Sequence, residues 1–240
     1  MLTGSREGWS MPAEFYNKVL YPLQEKVLTV FQESPFYLTG GTALSRGYYQ
    51  HRYSDDLDLF VNDSKEFERL VFRVIAALRE RSYSLEITTR EDSFCRLFVG
   101  TEQLKIEMIN DVPAHVGVIV NHPFLGRLDS RENILANKIS ALVDRGHPKD
   151  VADFFYLLKD GLSLKRALTD ADSKAAGITP LLVAQVLGDY RYERLSTVNW
   201  INAPDIQSIQ SFLTNVAVSL VNGNEYEKTT PHQAATVLSD

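Results

Sequence analysis

The feature that most constrains this chain is the run Phe36-Tyr37-Leu38-Thr39-Gly40-Gly41-Thr42-Ala43-Leu44, followed by His51-Arg52-Tyr53-Ser54-Asp55-Asp56-Leu57-Asp58-Leu59-Phe60-Val61. It reads as a short apolar strand, a glycine turn, a helix, and a second strand carrying two carboxylates one residue apart. Successive side chains of a strand point to opposite faces. Asp56, Asp58 and Phe60 are therefore expected on one face, with Leu57, Leu59 and Val61 turned to the core. Carboxylates crowded at a strand end repel each other, and a dication relieves the repulsion. Oxygen ligands of this kind suit Mg²⁺, which binds through one or two carboxylates plus substrate phosphates.

The glycines supply a second half to this pattern. Gly40-Gly41 before a helix lets backbone approach a ligand closely, because no Cβ intervenes. It also aims the free N–H groups of a helix start at an anion, and Thr42 adds a hydroxyl there. A phosphate cradle followed by paired carboxylates points to a nucleotide held by metal. Arg52 and Ser54, just ahead of the carboxylates, are grouped with the nucleotide-binding residues. Arg52 either contacts a triphosphate or pins the loop through Asp55. His51 reads as structural, since no second histidine stands nearby at metal-ligand spacing.

With 240 residues, 44% hydrophobic and 23% charged, the chain has the make-up of an ordinary globular protein. A formal net charge of −6 argues against a surface that coats nucleic acid generally, while leaving room for a local basic groove. The single cysteine, Cys95, can form no internal disulfide, which fits a reducing compartment. No apolar run approaches the roughly 20 residues of a membrane helix, and residues 1–10 lack the apolar core of a signal peptide. The expectation is a cytoplasmic protein without a membrane partner.

Helical spacing from Pro12 to Glu33 is interrupted at Pro22, where a kink or break is expected. Strands are expected at Phe36–Thr39, Asp56–Val61, Ser84–Thr89, Phe94–Val99, Gln103–Ile109 and Val116–Val120, with helices at Ala43–Tyr49 and Lys65–Arg81, the latter capped by Ser64. In the Gln103–Ile109 run, Glu107 faces away from Leu104, Ile106 and Met108. There a third carboxylate can meet Asp56 and Asp58. Beyond Leu128 the pattern is helical only, with a capping box of Asp129 and Glu132 opening a helix to Asp144. Further helices are expected at Lys149–Lys159, Leu164–Leu168, Pro180–Leu187 and Pro204–Val221, before a polar tail. The division expected is a catalytic domain over residues 1–128 and a helical domain over 129–240.

The Gly-Gly-Thr-Ala-Leu word, with His51-Arg52-x-Ser54-x-Asp56-Leu57-Asp58, resembles the signature of the AbiEii/AbiGii toxin family of nucleotidyltransferases, within the DNA polymerase β-like superfamily. The run Lys138-Ile139-x-Ala141-Leu142-x-x-Arg145-Gly146-x-Pro148-Lys149-Asp150-x-x-Asp153 is similar to that family's second motif region. This chain has Gly41-Thr42 where the superfamily often has Gly-Ser, and Glu107 where Asp is more frequent. The resemblance implies an α+β fold, with a polymerase β-like mixed sheet and flanking helices followed by a C-terminal helical domain. It also implies transfer of a nucleoside monophosphate from an NTP with release of pyrophosphate. Some such relatives are toxins of toxin–antitoxin or phage-defence pairs, which implies a cognate antitoxin, and some modify tRNA ends.

Transfer of this type needs charge neutralised on the attacking and leaving oxygens, which two ions about 4 Å apart supply. The expected cofactor is two Mg²⁺ ions, with Mn²⁺ as the substitute, held by Asp56, Asp58 and Glu107. Lys138 and Arg145 fall on one helix face, where Lys138 can stabilise charge on a phosphate. Asp150 either favours the N-terminus of its helix or holds Lys138 or Arg145 in place. The Phe154-Phe155-Tyr156 run reads as core. Tyr190 and Tyr192, with Arg191 and Arg194, read as a helix end rather than a base-stacking platform. The readings weighed against an enzyme of this kind are a nucleotide- or partner-binding pseudo-enzyme and an Asp-x-Asp glycosyltransferase. The second lacks a Gly-Gly helix start upstream. The acceptor remains open among a tRNA end, a protein and a small molecule.

Overall fold

The computed structural model describes residues 12–223. Residues 1–11 and the polar tail from residue 224 therefore lie outside the described residues. Seven strands form one mixed sheet in the order β3-β4-β5-β2-β1-β7-β6. These are β1 (Tyr37–Thr39), β2 (Leu57–Asn62), β3 (Leu85–Arg90), β4 (Phe94–Val99), β5 (Leu104–Asp111), β6 (Val120–His122) and β7 (Gly126–Leu128). β2 runs parallel to β5 and β1 parallel to β7, and the other neighbours are antiparallel.

Period-two alternation sets the faces of the central strands. Leu57, Leu59 and Val61 are buried along β2, while Asp58 and Phe60 are turned to the opposite, partly open face. Helix α4 (Phe67–Glu80) covers the apolar side, burying Phe67, Leu70, Val71, Val74, Ile75 and Leu78 at helical spacing. Each such side chain contributes about 1.5–3 kcal/mol when fully removed from water. The start of α4 departs from the expected Ser64 cap. Ser64 donates its N–H to Asn110 Oδ1 in β5 (2.8 Å), and Glu66 stands at the cap position without a side-chain bond to the helix N–H groups.

The break or kink expected at Pro22 appears as a change of helix type within one continuous run. Helix α1 (Pro12–Phe15) passes through a π-helical stretch, Tyr16–Leu20, into α2 (Tyr21–Leu28), whose first turn holds Pro22. Tyr21 N–H bonds back to Tyr16 O, five residues away, so the π-helical turn lies directly ahead of the proline, which has no N–H to give.

From Arg131 the described chain is helical: α5 (Arg131–Asp144), α6 (Pro148–Lys159), α7 (Leu164–Lys174), α8 (Pro180–Asp189) and α9 (Ile206–Val221). The apolar core runs unbroken from the sheet into these helices, taking in Leu57, Ile106 and Met108 together with Ile139, Phe154, Leu187 and Leu213. Phe154 and Phe155 are core residues, as the sequence pattern expects.

Two expectations at the junction are corrected. The strand placed at Val116–Val120 is instead the β6–β7 hairpin, because Val116 is tied to α5. Its N–H donates to Asn133 Oδ1 (3.2 Å) and its carbonyl accepts from Ser130 Oγ (2.5 Å). The cap of α5 is Ser130, whose Oγ accepts from Asn133 N at 3.0 Å, not Asp129. Asp129 is fully buried and serves as a joint. Its carboxylate accepts from Thr39 Oγ1 (2.5 Å), Asn133 Nδ2 (2.9 Å) and Ser130 N (2.8 Å), and lies 2.9 Å from His115 Nε2. Removing this acceptor leaves several buried donors without a partner. Asp129→Ala is expected to cost about 3 kcal/mol or more. Urea unfolding would show this as a lower midpoint, and an unchanged midpoint would exclude Asp129 as the joint between β1 and α5.

Candidate active site

β1 ends at Thr39, and Gly40 turns the chain with φ +68°, a conformation that favours glycine. The chain then enters helix α3 (Gly40–Thr42), continued by the π-helical Ala43–Tyr49. Thr39 makes no side-chain cap on this helix, because its hydroxyl donates to Asp129. The glycines also make room for site side chains. A Cβ on Gly40 would lie 2.5 Å from Asp58 Oδ2, and one on Gly41 would strike the Arg52 guanidinium and lie 3.1 Å from Ser54 Oγ.

Register brings the acidic residues into one neighbourhood. In β1, Thr39 pairs with Asp58, and in β5, Glu107 is the parallel partner of Asp58. Asp56 sits one residue before β2. Burial, then the charges of Glu107 and Asp56, push the Asp58 carboxyl up to about 6. Such repulsion between hard oxygen donors is what a divalent cation relieves, so the donor set fits Mg²⁺. Among the described residues, however, no three acidic, imidazole or thiol side chains are gathered at ion-holding distance. Two basic residues draw the outer carboxylates aside. Lys105 Nζ is 2.9 Å from Asp56 Oδ2 and 3.5 Å from Glu107 Oε1, and Arg96 reaches Glu107 Oε1 at 2.7 Å. Neither was singled out from sequence, although the signal was there. Lys105 shares the Glu107 face by alternation, and the hairpin about Gly100-Thr101 pairs Arg96 with Glu107.

Behind the carboxylates lies a buried ionic cluster. Asp153, fully enclosed, accepts a two-pronged hydrogen bond from Arg52 (2.8 Å from Nε to Oδ1 and 2.8 Å from Nη2 to Oδ2). It also lies 2.8 Å from His51 Nε2 and 2.7 Å from Lys138 Nζ. Lys138 bridges on to Asp150 (2.7 Å), and Asp150 accepts from Arg145 Nε (2.8 Å). Burial alone would raise Asp153, but the Arg52 and Lys138 charges and the His51 hydrogen bond hold it well below the ordinary carboxylate range. Burial lowers His51, so its ring is neutral at pH 7 and serves structure. Burial opposes the charge on Lys138, and Asp153 and Asp150 overcome it, raising its pKa.

A pocket of about 270 Å³ opens where these groups meet, lined by Gly41, Ser54, Asp56, Asp58, Lys138 and Arg145 among others. Arg52 and Lys149 also line it, as does the 197–199 segment. Two expectations change, at Thr42 and Arg52, and for Asp150 the structure selects one of the two readings. Thr42 is buried, and its hydroxyl bonds Ser54 Oγ (2.9 Å) and the Asp56 carbonyl, so it braces the carboxylate loop instead of offering itself to a phosphate. Asp150 is fully buried and holds Lys138 and Arg145 in place, with no share of the pocket lining. Arg52 is locked to Asp153 and not to Asp55, which instead accepts from Tyr16 at 2.5 Å. Gly40 and Glu107 lie behind the lining, Gly40 against Asp58 and Glu107 beside Lys105.

The Asp153 cluster carries a pH signature. A carboxylate with a depressed folded pKa stabilises the fold above its unfolded value, near 4, and loses that contribution as pH falls through the folded value. Asp153→Asn is expected to lower stability by about 3 kcal/mol or more at neutral pH. The gap from the parent should stay constant down to about pH 5 and narrow only in stronger acid. Denaturant titrations at a series of pH values read this directly, and a gap that narrows between pH 8 and 6 would contradict it.

Comparison with known proteins identifies the family and the fold. The family model described as nucleotidyl transferase AbiEii toxin, type IV toxin–antitoxin system, matches residues 23–200. A search of curated proteins finds no match. Among solved structures, JHP933 from Helicobacter pylori superposes with a TM-score of 0.58 at 21% identity, covering 89% of this chain and 94% of that one. MenT4, a nucleotidyltransferase toxin from Mycobacterium tuberculosis, superposes with a TM-score of 0.57 at 16% identity, covering 85% of this chain and 83% of its own. At these identities the two structures speak for a shared fold, and the family match reaches from α2 to the segment that closes the pocket. The chain belongs to the AbiEii family of nucleotidyltransferase toxins.

Proposed function

We propose that this nucleotidyltransferase moves a nucleoside monophosphate from an NTP to an acceptor hydroxyl in a Mg²⁺-dependent reaction, acting in the cytoplasm as the toxin of a toxin–antitoxin or phage-defence pair. The observation that carries the reading is the meeting, in one pocket, of a glycine corner, the crowded carboxylates and the Lys138–Arg145 cations. Asp56, Asp58 and Glu107 would hold the ion or ions. Bound metal neutralises charge on the phosphate oxygens and acidifies the attacking hydroxyl.

The chain's own groups do the rest. The glycine corner lets Asp58, Arg52 and Ser54 close tightly on the backbone, and Gly41 presents main chain to the pocket in which the phosphates would sit. Ser54 offers a hydroxyl beside Gly41. Lys138 and Arg145 stabilise the negative charge that builds on the leaving pyrophosphate. Their carboxylate partners fix them in position beforehand, so little reorganisation is needed. The acceptor oxygen bonds to the α-phosphorus as the bond from that phosphorus to the bridging oxygen breaks, and Glu107 takes the acceptor proton. No helix among the described residues is long and apolar enough to cross a membrane.

Incubation with each labelled NTP, Mg²⁺ and total cellular RNA, in extract containing protein, tests this reading. Label in RNA identifies a tRNA end as acceptor, label on polypeptide a protein hydroxyl, and label in the small-molecule fraction a metabolite. Asp56→Ala is expected to reduce transfer by roughly 10³-fold or more, the several kcal/mol that metal stabilisation supplies. Transfer at the parental rate in that variant would refute the assignment.

A further inference from the structure

Lys105 is the one strand residue whose ammonium stands between two of the proposed ion ligands. It leaves β5 on the same face as Glu107, two residues before it, and the Leu57–Ile106 register sets it beside Asp56. From there Nζ reaches Asp56 Oδ2 at 2.9 Å and Glu107 Oε1 at 3.5 Å. Its side chain is about a quarter exposed, at 27%, so it is neither locked in the core nor free in solvent. Arg96, 41% exposed, holds Glu107 from the other side. A single positive charge thus spans Asp56 and Glu107, which come from different strands.

We propose that Lys105 is a built-in competitor for the divalent cation, spanning Asp56 and Glu107 until an arriving ion displaces its ammonium. The inference rests on the metal-dependent reading of the site given above. Its physical basis is charge. An ammonium and a dication cannot share the same pair of carboxylates without strong repulsion, and at a few ångströms in a half-buried site that repulsion is poorly screened. The resident charge also keeps the carboxylates from driving one another apart in the metal-free protein. Displacement requires only that a flexible four-carbon stem swing toward solvent, which a lysine does at little cost.

This arrangement ties metal entry to nucleotide entry. Alone, the ion must overcome the ammonium. Arriving with a triphosphate, it brings compensating negative charge that gives Lys105 another anion to face. The free protein would then hold divalent metal weakly and avoid unproductive loading.

The test is a titration of the full-length protein with Mn²⁺ alone, following the loss of the free-ion signal by electron paramagnetic resonance, with thermal unfolding as a second readout. Lys105→Met, which keeps the length and removes the charge, is expected to bind Mn²⁺ roughly tenfold tighter or better than the parent. Without metal it should unfold at a lower temperature, and Mn²⁺ should raise that temperature more than it does in the parent. Lys105→Arg, which keeps the charge, should bind as weakly as the parent. Lys105→Gln replaces Lys105→Met in both readouts if the latter does not fold. Equal or weaker Mn²⁺ binding by the uncharged variant overturns the inference while leaving the proposed reaction standing. Absence of Mn²⁺ binding in every variant, with or without ATP, overturns the metal reading and this inference with it.

Discussion

The rest of the structure depends on one enclosed carboxylate, Asp153, and the charges it holds. It grips Arg52, from the loop before the Asp-x-Asp strand, and Lys138, from the first helix beyond the sheet. A buried guanidinium and a buried ammonium are tolerable only with a countercharge in close contact. By providing it to both, Asp153 fixes the loop and helix α5 relative to each other. Asp150 extends the same logic to Arg145. The cluster so described holds Arg52, Lys138 and Arg145 against Asp150 and Asp153, an excess of one positive charge facing Asp56, Asp58 and Glu107. The wall of the pocket is thus graded, acidic toward the sheet and basic toward the helices, which matches a ligand whose phosphates sit between metal and cations.

The loop carrying these residues is held from several directions. Gln24 Nε2 donates to the carbonyls of Ser54 (3.2 Å) and Asp55 (3.0 Å), and Thr42 secures Ser54 and Asp56 from the glycine helix. From the far end of the chain, Asn199 O accepts from Tyr53 N at 2.7 Å, and Ile201 N donates to His51 O at 3.1 Å. Residues near position 200 therefore belong to the site even though nothing in their own types signals chemistry. The preorganisation that favours catalysis is built from backbone and buried polar bonds rather than from the reacting groups themselves.

Much of this was legible in the sequence because it follows from short-range periodicity. The alternation along β2 put Asp58 opposite the core, the six apolar positions of α4 announced a buried helix face, and the alternation around Glu107 placed a third acid on the same side. What failed were features decided by long-range partners. Thr42 is a residue type that suits phosphate contact, but its hydroxyl is taken by Ser54 and Asp56. Asp129 looked like a cap because local spacing allowed it, and became a joint because Thr39 lies across the sheet. Val116 had strand character, yet its backbone groups were claimed by the start of α5. Lys105 and Arg96 follow from the same alternation and hairpin register that place Glu107, since Lys105 lies two residues before it and Arg96 pairs with it across β4 and β5.

The unbroken apolar core has a consequence for how such a chain can vary. A polypeptide ending after the last strand would carry Asp56, Asp58, Glu107 and the whole sheet, and would still lose Asp153, the countercharge of Arg52, and the helices into which the apolar core continues. The strand-bearing half is therefore no transplantable cassette. A chain cut anywhere before α6 would leave the Arg52 guanidinium without its buried countercharge, so the acids of the sheet and the cations that face them stand or fall together.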